Sequence, residues 1–211
     1  MKIGRLFKIL KAYSIFIIPI LIFEIYYFIG GYKGNGAKKI NLAGSTDNIP
    51  CPYFFLYKIK KFIIRKKINS LIDLGCGLGR VLYFFRKKTK IRYYHGVEYD
   101  KPSYEKCKKL FHKGQNVVIT NSNFMSFHFL KLKNECFFLN DPLTKKKDFE
   151  KLILKILKNN KKNSRTIYFI LVNVNKKKRE VLRKYEMIES YQINDRGYYI
   201  YSNKKYEKKF N

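Results

Sequence analysis

Three short stretches of the chain carry residues whose types and spacing could do chemistry. In DLGCGLGR, Asp73 to Arg80, three glycines separate an apolar run from the start of a helical pattern. A strand, a glycine-rich turn and a helix bring bare backbone N–H groups and a helix N-terminus up to a ligand, because side chains there would block its approach. The next apolar run closes on GVEYD, so Glu98 stands at the carboxyl end of a strand. A carboxylate at that place accepts hydrogen bonds from ribose hydroxyls. Together the two stretches specify a ribose-bearing cofactor. Spacing narrows the choice: a dinucleotide fingerprint runs G-x-G-x-x-G, whereas Gly75, Gly77 and Gly79 give G-x-G-x-G, with Arg80 where the third glycine should fall. Asp73, just ahead of these glycines, would face a pyrophosphate poorly and suits a cationic ligand. The third stretch is FFLNDPL, where Asn140 and Asp141 offer a carbonyl and a carboxylate that can hydrogen-bond a substrate nitrogen. The plainer reading of Asp141-Pro142 is the end of a strand and the start of a helix near Asp148.

These residues need elements to hold them. Strands are expected at SLIDLG, RYYHGVEYD, NVVIT, CFFLND and TIYFILVNV, and helices at 80–88, 103–112, 149–157 and 176–184. Strands alternating with helices make parallel βαβ units and hence an α/β, doubly wound sheet. MIESYQI and GYYIYSN, separated by NDRG, form a hairpin signal, so the seven-strand, mostly parallel sheet should end in an antiparallel pair. In such a sheet the first and fourth strands flank the switch point, which puts Asn140, Asp141 and Pro142 on the same crevice as the glycine loop.

DLGCGLGR followed by GVEYD resembles the first motifs of class I S-adenosylmethionine-dependent methyltransferases, over about residues 50–202. The resemblance implies a seven-strand Rossmann-like fold and S-adenosylmethionine as cofactor. It makes Gly75, Cys76, Gly77 and Gly79 the backbone surface against that cofactor, with Asp73 toward its methionine part and Glu98 on its ribose. Asn123 stands where the family carries an acidic residue for the adenine amino group, and an amide oxygen can still accept that bond; capping a turn is its other reading. Asn140 and Asp141 fall on a degraded form of the family's Asn/Asp-Pro-Pro-Tyr/Phe motif of amine methylation, with one proline and Leu143 in place of the aromatic. IPCPYFFLYKI resembles the Pro-x-Pro-Tyr lead-in of bacterial methyltransferases similar to non-SET protein lysine methyltransferases. On that likeness Pro50, Cys51 and Tyr53 cross the mouth of the cofactor site and Tyr53 shapes the acceptor pocket. As structure alone, Pro52 starts a helix and Tyr53 packs. Methyl transfer to an amine such as a protein lysine follows, with Asp141 and Tyr53 as the catalytic candidates. Protein or small-molecule acceptors are favoured over nucleic acid. A nucleic-acid methyltransferase and a non-catalytic cofactor-binding subunit are the alternatives.

Composition adds less. In 211 residues, 46 Lys and Arg stand against 15 Asp and Glu, a formal net charge of +31. That excess would normally suggest nucleic acid or an anionic membrane as partner. Abundant Lys, Asn, Ile, Tyr and Phe with little Ala are also what A/T-rich codons produce. Cys51, Cys76, Cys107 and Cys136 include no C-x-x-C pair and read as reduced thiols of a cytosolic protein. His95, His112 and His128 stand at no shared ligand spacing, so no metal is expected.

The amino-terminal region has a character of its own. Residues 12–31 are almost wholly apolar, interrupted by Pro19 and Glu24 and preceded by Lys2, Arg5, Lys8 and Lys11. We read 1–31 as an apolar N-terminal helix and possible membrane anchor, 32–49 as a glycine-rich linker and 50–211 as the catalytic domain. A span would carry four positive charges across the bilayer, so attachment to a membrane surface on the cytosolic side is expected, with packing on protein as the alternative.

Overall fold

The computed structural model describes residues 18–36, 49–111, 116–128, 135–160, 166–193 and 196–205. Seven strands form one sheet: β1 (Ser70–Leu74), β2 (Tyr93–Glu98), β3 (Val117–Asn121), β4 (Glu135–Asn140), β5 (Ile167–Val172), β6 (Tyr185–Ile193) and β7 (Arg196–Lys205). Their order is β3-β2-β1-β4-β5-β7-β6, parallel except for β7, which runs antiparallel to both β5 and β6. β1 is hydrogen-bonded to β2 on one side and β4 on the other, so the winding reverses there and opens a crevice beyond the carboxyl ends of β1 and β4. Every residue of β5 is buried, as are all but the last of β4, as expected of strands covered on both faces.

The helices are α1 (Ile18–Ile29), α2 (Tyr53–Arg65), α3 (Arg80–Lys88), α4 (Lys101–Lys108), α5 (Lys146–Asn160) and α6 (Lys176–Arg179), the last continued by a 3-10 turn at Glu180–Leu182. One core lies under α1, α2 and α3 and holds Phe55, Ile59, Phe62, Leu82, Phe85 and Phe138. The other lies under α5 and holds Ile72, Leu74, Phe137, Phe149, Leu152 and Phe169. α3 has the bounds the sequence suggests, because Gly79 caps it in the left-handed region and extended Thr89 stops it. α4 starts two residues earlier than expected. The Asp100 carboxylate accepts the Ser103 N–H at 3.0 Å, and Pro102 suits a first turn. α6 is a single turn, where the sequence suggested a longer helix, and the chain enters β6 by Tyr185. The end at 112 of the helix expected over 103–112, the hairpin turn at 194–195 and most of the 32–49 linker lie outside the described residues.

What is described of that linker is not detached. Residues 32–36 run across the start of α3. A Cβ at Gly34, whose φ is +82°, would stand 2.4 Å from the Arg80 nitrogen. α1 itself is tied down at the same place. Pro52 has no side chain that could cap α2, and the Glu24 carboxylate does it from α1, accepting the Tyr53 N–H at 2.8 Å. Glu24 also takes two hydrogen bonds from Arg80, at 2.8 and 3.0 Å. No helix among the described residues is long and apolar enough to cross a membrane.

Candidate functional site

The glycine turn between β1 and α3 is held by the end of β2. Gly75 and Cys76 both donate their N–H to the Val97 carbonyl, at 2.9 and 3.2 Å, and Gly77 donates to Glu98 Oε2 at 2.7 Å. The sequence suggested bare amides facing a ligand; these three are taken, because the turn folds back onto its neighbouring strand. What the glycines supply is room. Gly75, Gly77 and Gly79 all have positive φ, at 83°, 53° and 84°. A Cβ at Gly75 would come within 3.2 Å of Pro142, so this glycine lets the loops after β1 and β4 meet. Gly79 serves a different neighbour: its Cβ would press on Cys107 Sγ at 2.8 Å, so it lets α3 pack on α4. Cys76 is buried with its sulfur 3.9 Å from that of Cys107, and this contact, then burial, pushes its thiol well up.

Asp73 and Glu98 differ sharply in their partners. Glu98 is buried, and burial raises its pKa, but the N–H groups of Gly77 and Asp100 (2.8 Å) hold one oxygen each and pull the other way. Each oxygen keeps a further lone pair for another donor. Asp73 is 1% exposed, and its Oδ2 has no hydrogen-bond partner among the described residues. Burial first and the Glu98 charge second raise its pKa far above the ordinary carboxylate range. A buried carboxylate oxygen without a donor costs free energy unless something cationic completes it.

Beyond β3, exposed Asn123 accepts the Met125 N–H through Oδ1 at 2.8 Å and so forms the turn that buries Phe124 and Phe127. That oxygen retains a second lone pair. Beyond β4, both ends of the Asn140 amide are engaged: Nδ2 donates to the Ile49 carbonyl at 2.7 Å and Oδ1 accepts from Asn173 Nδ2 at 3.1 Å. Asp141 sits at φ +42°, and its carboxylate accepts from Lys178 Nζ at 2.6 Å. Lys178 is buried and also donates to the Leu143 carbonyl, which ties the loop after β4 to the first turn of α6.

Tyr53 is where the acceptor-pocket expectation meets the packing one. Its side chain is 1% exposed; the ring lies under the Arg80 guanidinium at 4.3 Å and beside Tyr27 at 4.7 Å, and the hydroxyl donates to Asn35 Oδ1 at 2.9 Å. Burial raises its pKa to about 12. Ring and hydroxyl are thus both spent inside the N-terminal aromatic cluster. His95 is a satisfied core residue, bonded to Thr120 Oγ1 at 2.8 Å and Tyr93 OH at 3.2 Å, and burial lowers its pKa to about 4. No group of three or more metal-ligating side chains occurs among the described residues.

Sequence reasoning missed Lys178 and Asn173. Asn173 follows β5 at φ +56°, and its buried Oδ1 has no partner among the described residues. The amide cannot be reversed to cure this, because the Ile49 carbonyl demands the Asn140 Nδ2 and that fixes which Asn173 atom faces Asn140. The VNVN pattern after β5 was the available signal, since it leaves that strand at the same sheet edge as NDPL.

No family model matches the chain, and no curated protein matches it in sequence. Solved structures do match in fold. The Escherichia coli protein yhhF, a candidate methyltransferase, is 17% identical with a TM-score of 0.58, over 81% of this chain and all of the other. An RNA methyltransferase from Salinibacter ruber, in complex with S-adenosyl-L-homocysteine, is 11% identical with a TM-score of 0.54, over 76% of this chain and 97% of the other. Magnesium protoporphyrin IX methyltransferase from Synechocystis, with bound S-adenosylmethionine, is 11% identical with a TM-score of 0.51, over 70% of this chain and 76% of the other. At these identities the likeness is one of fold: the seven-strand α/β architecture is shared with these methyltransferase structures.

Proposed function

We propose that the chain binds S-adenosylmethionine and transfers its methyl group to a nitrogen acceptor, an amine such as a protein lysine. The observation that carries this is the partnerless Asp73 oxygen, buried behind the glycine turn, which asks for a cation such as the cofactor's amino group. Gly75, Cys76 and Gly77 form the surface along which the cofactor lies, with Gly79 setting the helix behind them. Glu98 takes the ribose hydroxyls through its spare lone pairs, Asn123 accepts from the adenine amino group, and Asn140 holds the chain at Ile49 over the site. The fold likeness to proteins whose structures contain S-adenosylmethionine or its product supports the same cofactor.

When bound, the cofactor supplies a sulfonium methyl that is already activated. The chain's part is to align an acceptor with it and exclude water, which is positioning more than acid–base work. Asp141 and the free oxygen of Asn173 edge the acceptor side; the oxygen can accept an N–H and turn the nitrogen lone pair toward the methyl. Tyr53 contributes by bracing Arg80 beneath the glycine turn. The N-terminal segment holds the domain at a membrane surface on the cytosolic side. A second reading, a non-catalytic cofactor-binding subunit, is favoured by one observation: Lys178 already fills Asp141.

Calorimetry with S-adenosylhomocysteine tests the first step. The parent chain should bind and Gly75→Val should not, since its side chain would enter the approach space in a backbone conformation that valine resists. Equal affinity for the two would sink the assignment. Labelled methyl transfer to peptides and to RNA then separates an amine methyltransferase, a nucleic-acid methyltransferase and a subunit that binds without turnover.

A further inference from the structure

α1 is apolar on both sides, and among the described residues only one side is covered. Ile20, Phe23 and Tyr27 face the domain, Tyr27 almost fully buried. Ile18, Ile22, Ile25 and Ile29, spaced one helical face apart, lie opposite with exposures of 42, 58, 59 and 78%. Leu21 and Phe28 widen that face at 45 and 72%. The one charged residue of the helix, Glu24, is turned inward to Arg80 and the start of α2. A water-facing helix does the reverse: it shows its charges and hides its isoleucines. A contiguous apolar face of this kind marks a contact surface.

Charge decides what covers it. Cations flank the helix: Lys33 follows it, Lys88 Nζ lies 5.9 Å from the centre of the Tyr27 ring, and Lys60 lies 4.6 Å over Tyr57, whose ring packs on Phe23. Lys2, Arg5, Lys8 and Lys11 precede the helix in the sequence. A second copy would bring equally basic flanks against these in a chain of net charge +31, whereas anionic headgroups would neutralise them. The described part of the helix has 12 residues, about 18 Å of length, against a hydrocarbon core of about 30 Å, and its single exposed apolar face suits the plane of the interface.

We propose that the outward face of α1 lies in the headgroup region of an anionic bilayer and seats the crevice at that surface. Glu24 joins α1 to Arg80, the first residue after the glycine turn, so the mouth of the site is held beside the lipid. This rests on the methyl-transfer reading only for what the crevice does; the seating follows from the helix.

The full-length chain is mixed with phosphatidylcholine vesicles, with and without phosphatidylglycerol, and sedimented. It should pellet with the anionic vesicles, less in high salt but not fully released. The triple variant Ile22→Asp, Ile25→Asp, Ile29→Asp should lower the partition coefficient at least about tenfold while keeping the parent's thermal unfolding transition, since these side chains touch solvent. A chain left in the supernatant with both vesicle types overturns the proposal, as does a triple variant that pellets like the parent. So does a dimer in light scattering that the same variant dissociates, because then a second copy covers the face. Loss of S-adenosylhomocysteine binding with vesicle binding intact would remove the methyl-transfer reading and leave the seating.

Discussion

The two sides of the crevice each present a carboxylate, Asp73 buried and Asp141 partly exposed, and they are in opposite states. Asp73, below the glycine turn, has an oxygen that nothing among the described residues satisfies; Asp141, at the end of β4, is paired with the ammonium of Lys178. On the proposed reading the Asp73 oxygen is kept for a cationic ligand, whereas Lys178 already serves Asp141. On the other side Asn173 Oδ1 lacks a donor among the described residues. The proposed reading accordingly puts a cation on one side and an N–H on the other.

Replacing Asp73 by Asn is the strongest way to break this contrast. It should weaken S-adenosylhomocysteine binding by about 3 kcal/mol or more, over a hundredfold, because the ligand's cation loses its partner in a buried place. The same change should raise the melting temperature of the empty protein near neutral pH. A raised folded-state pKa means that the native state loses stability as pH climbs past the ordinary carboxylate value, so the gain from Asn should vanish in acid, where Asp73 is protonated. An unaltered melting curve at both pH values would show that Asp73 carries no such cost.

Lys178→Met probes the filled side. Leaving Asp141 without its ammonium should cost about 2 to 3 kcal/mol of stability, less than for a fully buried pair because Asp141 is partly exposed, and cofactor affinity should stay within about twofold. Parallel loss of affinity would mean that the two sides are not separable. Glu98→Ala should weaken S-adenosylhomocysteine by about 1.5 to 3 kcal/mol, the scale of hydrogen bonds to a charged group, and an unchanged dissociation constant would show that Glu98 serves only the Gly77 and Asp100 amides. The smallest effect is expected from Asn173→Ala. Turnover should fall by about tenfold, one neutral hydrogen bond, with cofactor affinity intact. An unchanged rate would remove Asn173 from the acceptor side.

The sheet was legible because its strands obey rules that act within a few residues. β4 and β5 are unbroken apolar runs, and the glycines punctuate β1 from α3. Topology alone then brought Asp73, Glu98, Asn140 and Asp141 to one edge. What the sequence could not show depends on where distant segments land. The amides of the glycine turn are spent on Val97 and Glu98, Lys178 reaches across from α6, and Gly34 lies on the start of α3. Tyr53 is the clearest case. Its place after Pro52 fits both a helix start and a pocket wall, and only the arrival of Tyr27, Asn35 and Arg80 from three other segments decides that it packs.

If Asp73 takes the cofactor's cation as proposed, uptake becomes an acid–base event. Burial raises the pKa of the empty site's carboxyl and a cation beside it favours the ionised form, so binding would release a proton into solution. The measured heat of binding then includes the heat with which the buffer takes the proton up, and should differ between phosphate and Tris at one pH. Affinity should climb as pH rises toward the raised value and level off above it. A carboxyl that looks like a mere anchor would thus act as the site's proton counter.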